Sequence, residues 1–583
     1  MFASLCLLVL APPPPQTTCN GAEYFACQSN RYLRGIEQND HLGLSVSACG
    51  DWNWTGNCAT GIGDPGNRLD VLAGAAYPWE GIGGNPTPGR VQLYTTQQNP
   101  CDVAPELVIT GDVILGPTTS ENKGEAFGWS VAFIGDLDED CRSDFAVGAP
   151  RSIKNQEGNE WTEKGRVYIF LSSKYPMVGA YQPGGANFIA NSANLIIEGE
   201  ANGHQFGFSI AENGDFNSDG LADFDWNNDG VPDLIVGAPG GPSGAPTFPG
   251  RVYVISGLYI RNTAVSSNGT VAPTGNVVQV SSGNVLASWT GKGTTGLEAR
   301  DRFGFSVAVA GEVGDPDSLH TDIVVGAPQF SGANGPIPDG QWGPGYVRVL
   351  YGSGTNQFYE FVGPGTNVGD FGCFGYSVAG QIDIPPVPQT IPGVFPLPDG
   401  NADILVGEPL HDVVLPGTPA TVLNRAGRVY VLNAKSGNLA TGTMATAHGR
   451  AEGWFFGWTV EGLGKINGPG DPFDSWAVCA SRYGDQDRPG LCSGFGNCPN
   501  STIDPGDTLC GRLFVFHGNA SRPCWSITGE SFRDSCGWGI ARTGDLDGGS
   551  LPDLCFSSPR WAEVPAGTPG LLSELGKVYI RYR

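Results

Sequence analysis

The sequence predicts an all-β fold: a seven-bladed β-propeller of four-stranded antiparallel blades, closed by an N-terminal strand that pairs with the C-terminal blade. Three observations predict it. A strand-and-turn pattern recurs seven times along the chain. Each copy holds three short apolar runs, and a fourth run precedes the next copy. The last copy stops one run short, and a run of the missing kind stands near the opposite end.

Each copy reads aromatic-Gly-aromatic-Ser/Thr-Val, a Gly-Asp loop, an Asp, an apolar run ending Gly-Ala-Pro, then Gly-Arg-Val-Tyr. The second copy has FGWSVAFIGD from Phe127, DFAVGAP from Asp144 and GRVYIF from Gly165. The third has FGFSIAENGD from Phe206, DLIVGAP from Asp233 and GRVYVI from Gly250. The fourth and fifth open at Phe303 and Phe374, and looser copies open at Leu42, Phe456 and Cys536. Gly, Pro and Asp bound every run, as they bound β-strands. Fourth strands are expected at Leu195, Val285, Tyr359 and Cys524. An open stack would leave long exposed edges, so seven copies favour closure into a ring. RYLRGIEQNDHLG from Arg31 is similar to LIIEGEANGHQFG from Leu195, so Arg31–Gly35 is expected to complete the last blade against Lys577–Tyr582.

Composition agrees and narrows the function. The 89 Gly and 45 Pro among 583 residues, with three Met, suit short strands and turns. With 32 basic against 58 acidic side chains the net charge is −26, which leaves no footprint for nucleic acid. Apolar content of 40% excludes wholesale disorder. The apolar run Phe2–Ala11, followed by Pro12–Pro15, is too short for a bilayer and reads as the core of a secretory leader, although no basic residue precedes it. Residues 1–18 are assigned to a leader-like segment with a Pro-rich linker, and 19–583 to one propeller domain. No later stretch reaches membrane-spanning length. Fifteen Cys, fourteen without Cys6, fit an oxidising compartment and disulfides. Bridges Cys101–Cys141 and Cys524–Cys536 are expected. Asn268, Asn500 and Asn519 head glycosylation sequons.

These residues resemble the FG-GAP repeat family, the seven-bladed propeller of integrin alpha-subunit heads and of many secreted or surface bacterial proteins. The resemblance spans about Arg31 to Arg583. It is specific in copies two to five and loose in copies one and six.

Chemistry concentrates between the first and second strands. Copy two reads DLDEDCRSD, with Asp136, Asp138, Asp140 and Asp144 at positions 1, 3, 5 and 9. Copy three carries two such stretches, Asp215, Asn217, Asp219 and Asp223, then Asp225, Asn227, Asp229 and Asp233. Copy seven offers Asp545, Asp547 and Asp553 with Gly549 at position 5. Copy five rebuilds a set across an insertion from Asp383, Asp399, Asn401 and Asp403. So many carboxylates in nine residues repel one another unless a cation sits among them. Oxygen-only ligands on a wrapping loop select a hard ion, Ca²⁺ before Mg²⁺. The family resemblance implies the same ion. The competing reading is a set of solvated acidic turns. Copies one and four have broken spacing, and copy six has Lys465 where the first Asp belongs.

Strand directions put the metal loops on one face. The opposite face carries long Gly- and Pro-rich loops bearing Trp79, Trp161, Trp342 and Trp561. Loops on a rigid scaffold and aromatic anchors are where binding resides, and the resemblance implies partners on that face. The sequence therefore reads as a monomeric, secreted or cell-surface, Ca²⁺-stabilised adhesion or ligand-binding module for protein or carbohydrate. The plain alternative is that these Trp pack under their own loops. No catalytic constellation is found: six His are scattered, and no GxSxG, HExxH or phosphate loop occurs. A secreted polysaccharide-acting or hydrolytic enzyme using axial carboxylates, and a purely structural surface protein, are the other readings.

Overall fold

The computed structural model describes residues 22–582 apart from 27–28, 30, 37–39, 53–69, 77–87, 95–104, 115–122, 155–161, 175–187, 214–223, 241–247, 266–275, 294–300, 315–320, 330–342, 353–356, 365–371, 386–397, 418–419, 469–470, 483–509, 521, 531–533, 545, 547–550 and 564–572. The proposed leader, Cys101, Trp79, Trp161 and Trp342 fall outside these residues.

Seven antiparallel sheets form the seven blades. Their innermost strands are Ser45–Gly50, Ser130–Phe133, Ser209–Ile210, Ser306–Gly311, Ser377–Ile382, Phe456–Gly464 and Ile540–Arg542, which number the blades one to seven. Blade two shows the order outward: Ser130–Phe133, Phe145–Ala149, Arg166–Phe170, Leu195–Glu198. Fourth strands occur where the sequence places them, at Leu195–Glu198, Val285–Thr290, Phe358–Val362 and Trp525–Thr528. In blade seven the fourth strand is Arg31–Arg34, paired with Lys577–Arg581 in the register Leu33 to Val578, so the two ends of the chain share a sheet.

Central strands such as Phe145–Ala149 are buried at every residue, because both faces of each blade are covered by neighbours. Seven apolar clusters follow, each shared between adjacent blades. Between blades one and two, for example, Leu72 and Leu93 meet Phe127, Phe133 and Phe145. Burying each such side chain is worth about 1.5–3 kcal/mol. The core is thus a ring of seven layers.

The repeated glycines explain how blades approach so closely. The Gly that opens each third strand bridges the first residue of the next copy: Gly89 to Phe127, Gly165 to Phe206, Gly250 to Phe303, Gly345 to Phe374, Gly427 to Phe456, Gly511 to Cys536, and Gly576 to Leu42. Gly165 has φ +87°, and a Cβ there would lie 2.1 Å from the Phe206 carbonyl oxygen. Only glycine combines that backbone with that approach.

A second link uses the repeat serine. Ser130 donates its hydroxyl to the Gly207 carbonyl at 2.9 Å, and Ser45, Ser209, Ser306 and Ser377 make the same bond to the next blade. Blade seven inverts this pair. Gly539 stands where the serine belongs, Ser557 stands where the Gly of Gly-Ala-Pro belongs, and Ser557 donates to the Gly43 carbonyl at 2.6 Å. Two residues before the opening residue of a copy, an acid ties down the strand connection: Asp40, Glu125, Asp301 and Asp534 accept the N–H of Ile36, Asp112, Lys292 and Glu530. Tyr168 also donates its hydroxyl to Glu125 at 2.9 Å.

Three outer edges carry a fifth strand that the sequence reading does not foresee. Phe188–Ile189, Asn276–Gln279 and Ala22–Phe25 pair in parallel with the outer strands of blades one, two and six. Such strands hide backbone groups that would otherwise template unwanted pairing. Among the described residues no helix is long and apolar enough to cross a membrane. Cys141, Cys510 and Cys524 are disulfide-bonded. The expected Cys524–Cys536 bridge is not made: Cys536 is a buried free thiol, its opening-residue position being packed into the blade-six and blade-seven core.

Candidate metal loops and the axial channel

The described metal loops of blades two, three and five lie between the first and second strands, and in each the position-1 carboxylate holds the turn. Asp136 accepts the N–H of Asp140 at 3.1 Å and of Cys141 at 2.6 Å. Asp225 does the same for Asp229 and Gly230, and Asp383 for Asp399 and Gly400. The blade-five insertion therefore returns in register, with Asp399 at position 5 and Asn401 at position 7. Position 6 is left-handed in all three of these loops: φ is +70° at Cys141 and +82° at both Gly230 and Gly400. Nothing lies within 4 Å of a Cβ built on Gly230 or Gly400, so backbone conformation alone selects glycine there.

Position 9 is buried and works on the backbone. Asp144 accepts the N–H of Leu137 and of Ser172, and Asp233 those of Trp226 and Gly257. Asp403 accepts from Ile384, and Asp553 from Leu546. In blade two, oxygens of Asp136, Asp138 and Asp144 lie within 4.8 Å of one another. The Oδ1 atom of Asp138 is buried and has no hydrogen-bond partner, while its Oδ2 accepts from the Ser173 hydroxyl. Three converging carboxylates, one of them with a buried oxygen lacking any donor, fit a divalent ion.

Asp140 does not join that triad. Its carboxylate is held by the Arg142 guanidinium, with Nε at 2.9 Å and Nη2 at 2.5 Å, and by the Ser172 hydroxyl. Asn227 and Asp229 bond each other at 2.8 Å on the exposed rim of the blade-three loop. Asp215, Asn217, Asp219, Asp223, Asp545 and Asp547 lie outside the described residues. In blade six the Lys465 ammonium stands 3.2 Å from Asp474, so a fixed positive charge serves that loop.

Burial dominates the electrostatics. It pushes Asp136 up to about 6, Asp233 to about 7 and Asp403 to about 8, with neighbouring carboxylates adding to each. Burial likewise holds Asp144 well above the ordinary range. Concentrated negative charge out of water binds either protons or a cation.

On the opposite face Trp561 is half-buried. Its indole N–H donates to Glu530 at 3.1 Å, and its ring lies 4.5 Å from the Lys577 ammonium. Trp561 is thus tied both to Lys577 of its own blade and to the connection that leaves the outer strand of blade six.

The sequence reading missed the axis. The residue after each repeat glycine points to the centre: Leu44, Trp129, Phe208, Phe305, Tyr376, Trp458 and Trp538 line one cavity of ≈ 350 Å³. Successive aromatic centroids are 4.7–5.3 Å apart from Trp129 round to Trp538. Glu212 and Glu461 line the same cavity. The recurrence of an aromatic at one repeat position was the available signal.

Comparison with known proteins places these features in context. The family described as FG-GAP repeat matches residues 225–255, the second metal stretch of blade three and the strands that follow. Integrin alpha-IIb of Mus musculus is 31% identical over 196 residues, 33% of this chain and 14% of that protein. Integrin alpha-5 of Xenopus laevis is 27% identical over 270 residues, 42% of this chain and 20% of that protein. Phosphatidylinositol-glycan-specific phospholipase D of Rattus norvegicus is 35% identical over 145 residues, 25% and 15% of the two chains. The matched stretches thus span a fifth or less of these relatives' lengths.

Proposed function

Given that the chain is an integrin-alpha-like FG-GAP β-propeller, we propose that it is an extracellular, Ca²⁺-binding adhesion or ligand-binding module that engages a protein or carbohydrate as a monomer. The observation that carries the metal reading is the Asp136, Asp138 and Asp144 triad with its undonated Asp138 oxygen. Those residues would hold the ion in blade two, with Asp225, Asn227, Asp229 and Asp233 in blade three and Asp383, Asp399, Asn401 and Asp403 in blade five. Asp215, Asn217, Asp219, Asp223, Asp545 and Asp547 extend the same proposal by their spacing.

When bound, the ion supplies the positive charge that lets these carboxylates stay ionised together. The chain's own residues do the rest. Asp136 braces the turn through two backbone N–H groups, and Asp144 ties the loop to the third strand through Ser172. A rigid loop ring on one face leaves the other face free to present the long connections after Gly-Ala-Pro. The relatives named integrin support the adhesion reading, and the leader-like residues 1–18 support export of a single domain from residue 19.

The test is a glycan and extracellular-protein array probed with the Ca²⁺-loaded chain and with the chain in EDTA. Binding that needs Ca²⁺ supports the reading; no binding in either state overturns it. Titration calorimetry checks the metal separately: Asp138→Asn should lower Ca²⁺ affinity at least tenfold at one site.

A further inference from the structure

We propose that the axial channel holds a monovalent-cation site, clasped between the carboxylates of Glu212 and Glu461 at the end of the channel nearer the metal loops. Glu212 lies four residues beyond Phe208, and Glu461 three beyond Trp458. Both therefore sit past the aromatic ring, Glu461 on the innermost strand of blade six and Glu212 just beyond that of blade three, and both line the central cavity. This site is distinct from the loops proposed for Ca²⁺.

The donors around Glu212 are known. The Ser47 hydroxyl, the Ala48 N–H and the Cys49 thiol all point to its carboxyl group. Its Oε1 atom nevertheless is buried and has no hydrogen-bond partner. A buried carboxylate oxygen without a donor is costly unless a positive charge meets it. Glu461 accepts the Gly462 N–H and feels the Glu212 charge across the channel.

Charge counting sets the valence. Arg542 of blade seven is the cation that acts on both acids, and its Nη1 reaches the Gln381 carbonyl at 3.5 Å. The thiols of Cys49 and Cys555, which also face Glu212, are held neutral by burial. Burial, and then the Glu212 charge, hold Glu461 well above the ordinary range, so the fully deprotonated pair exists only with a cation at hand; two carboxylates and one guanidinium then leave one unit of negative charge. A divalent ion would overshoot it and would want six to eight oxygens. A cavity of ≈ 350 Å³ has room for a single ion with several waters. Burial pushes the Glu212 carboxyl up to about 7, so a proton competes for the same place.

The experiment uses the full chain saturated with Ca²⁺. Its urea-denaturation midpoint is followed while Na⁺ or K⁺ replaces N-methylglucamine at constant ionic strength. At pH 8.5 the midpoint should rise saturably with Na⁺ or K⁺. Apparent affinity should fall about tenfold per pH unit below about 7, as one proton displaces one ion. Glu212→Gln, which keeps shape and removes charge, should abolish the ion dependence, and Glu461→Gln should do the same if the first variant folds poorly. Equal midpoints in Na⁺, K⁺ and N-methylglucamine, or an ion response that survives in both variants, would overturn the proposal.

Discussion

The inverted pair in blade seven offers a sharp test of how the blades are joined. Replacing Ser557 by Gly removes the 2.6 Å bond to the Gly43 carbonyl and the 2.9 Å bond it accepts from the Gly539 N–H. Leaving buried polar groups unsatisfied costs about 1–3 kcal/mol, and glycine in a strand adds about 0.5–1, so Ser557→Gly should lose about 3 kcal/mol. Gly539→Ser alone places a Cβ 2.9 Å from the Ser557 hydroxyl and 3.1 Å from Val46, an overpacking worth about 1–3 kcal/mol. Together the changes restore the arrangement seen at Ser130 and Gly148, where the serine hydroxyl supplies the interblade bond. The double variant should therefore lie within about 1 kcal/mol of the parent, a favourable coupling of at least about 3 kcal/mol. Thermal scans are a blunt readout, because unfolding entropy of about 2.1 cal/mol/K per residue over 583 residues compresses 3 kcal/mol into about 2–3 °C. Urea denaturation of the Ca²⁺-loaded protein is the better assay. A double variant as unstable as the sum of the singles would refute the claim that the two positions exchange one job.

Three further outcomes are expected. Gly453→Ala, at φ +73° with nothing within 4 Å, should cost about 1–2 kcal/mol, whereas Gly165→Ala, blocked 2.1 Å from Phe206, should cost about 4 kcal/mol or more; equal losses by urea denaturation would contradict the close-approach argument. Calorimetric Ca²⁺ affinity should fall steadily as pH drops from about 8 to below 6, because Asp403, Asp233 and Asp136, raised by burial to about 8, 7 and 6, must lose their protons to bind a metal; unchanged affinity between pH 8.5 and pH 5 would disprove this. Glu125 is raised by burial from 4.5 to about 7, so its contribution is fully present below about pH 4.5 and is lost as pH rises through about 7. Across that window Glu125→Gln should gain about 3 kcal/mol on the parent, and parallel pH profiles would rule it out.

The blade count, the strand order and the closing strand at Arg31–Arg34 were legible because propeller repeats impose the same glycines and serines at the same contacts. The position-1 and position-9 carboxylates were legible for a similar reason: short-range spacing fixes which backbone N–H each can reach. Asp140 was not, since its capture by Arg142 depends on which way one side chain turns two residues away. The fifth strands on blades one, two and six arise from pairing between different copies, with no local periodicity to announce them. Glu212 and Glu461 occupy different repeat positions, so only the closed ring reveals that they share a cavity. The Cys536 thiol shows the limit of cysteine spacing, because the position's packing role outranks proximity in sequence.

The pairing of Leu33 with Val578 also sets a clock on biogenesis. At a translation speed of about 5–20 residues per second, the first of these residues waits roughly half a minute to two minutes for the second to emerge from the ribosome. Six blades can assemble locally in that interval, but the wheel stays unlatched, with an unpaired lane beside its final sheet. Chaperone demand should therefore peak late in synthesis, and a stall shortly before Lys577 should be more harmful than one between earlier blades.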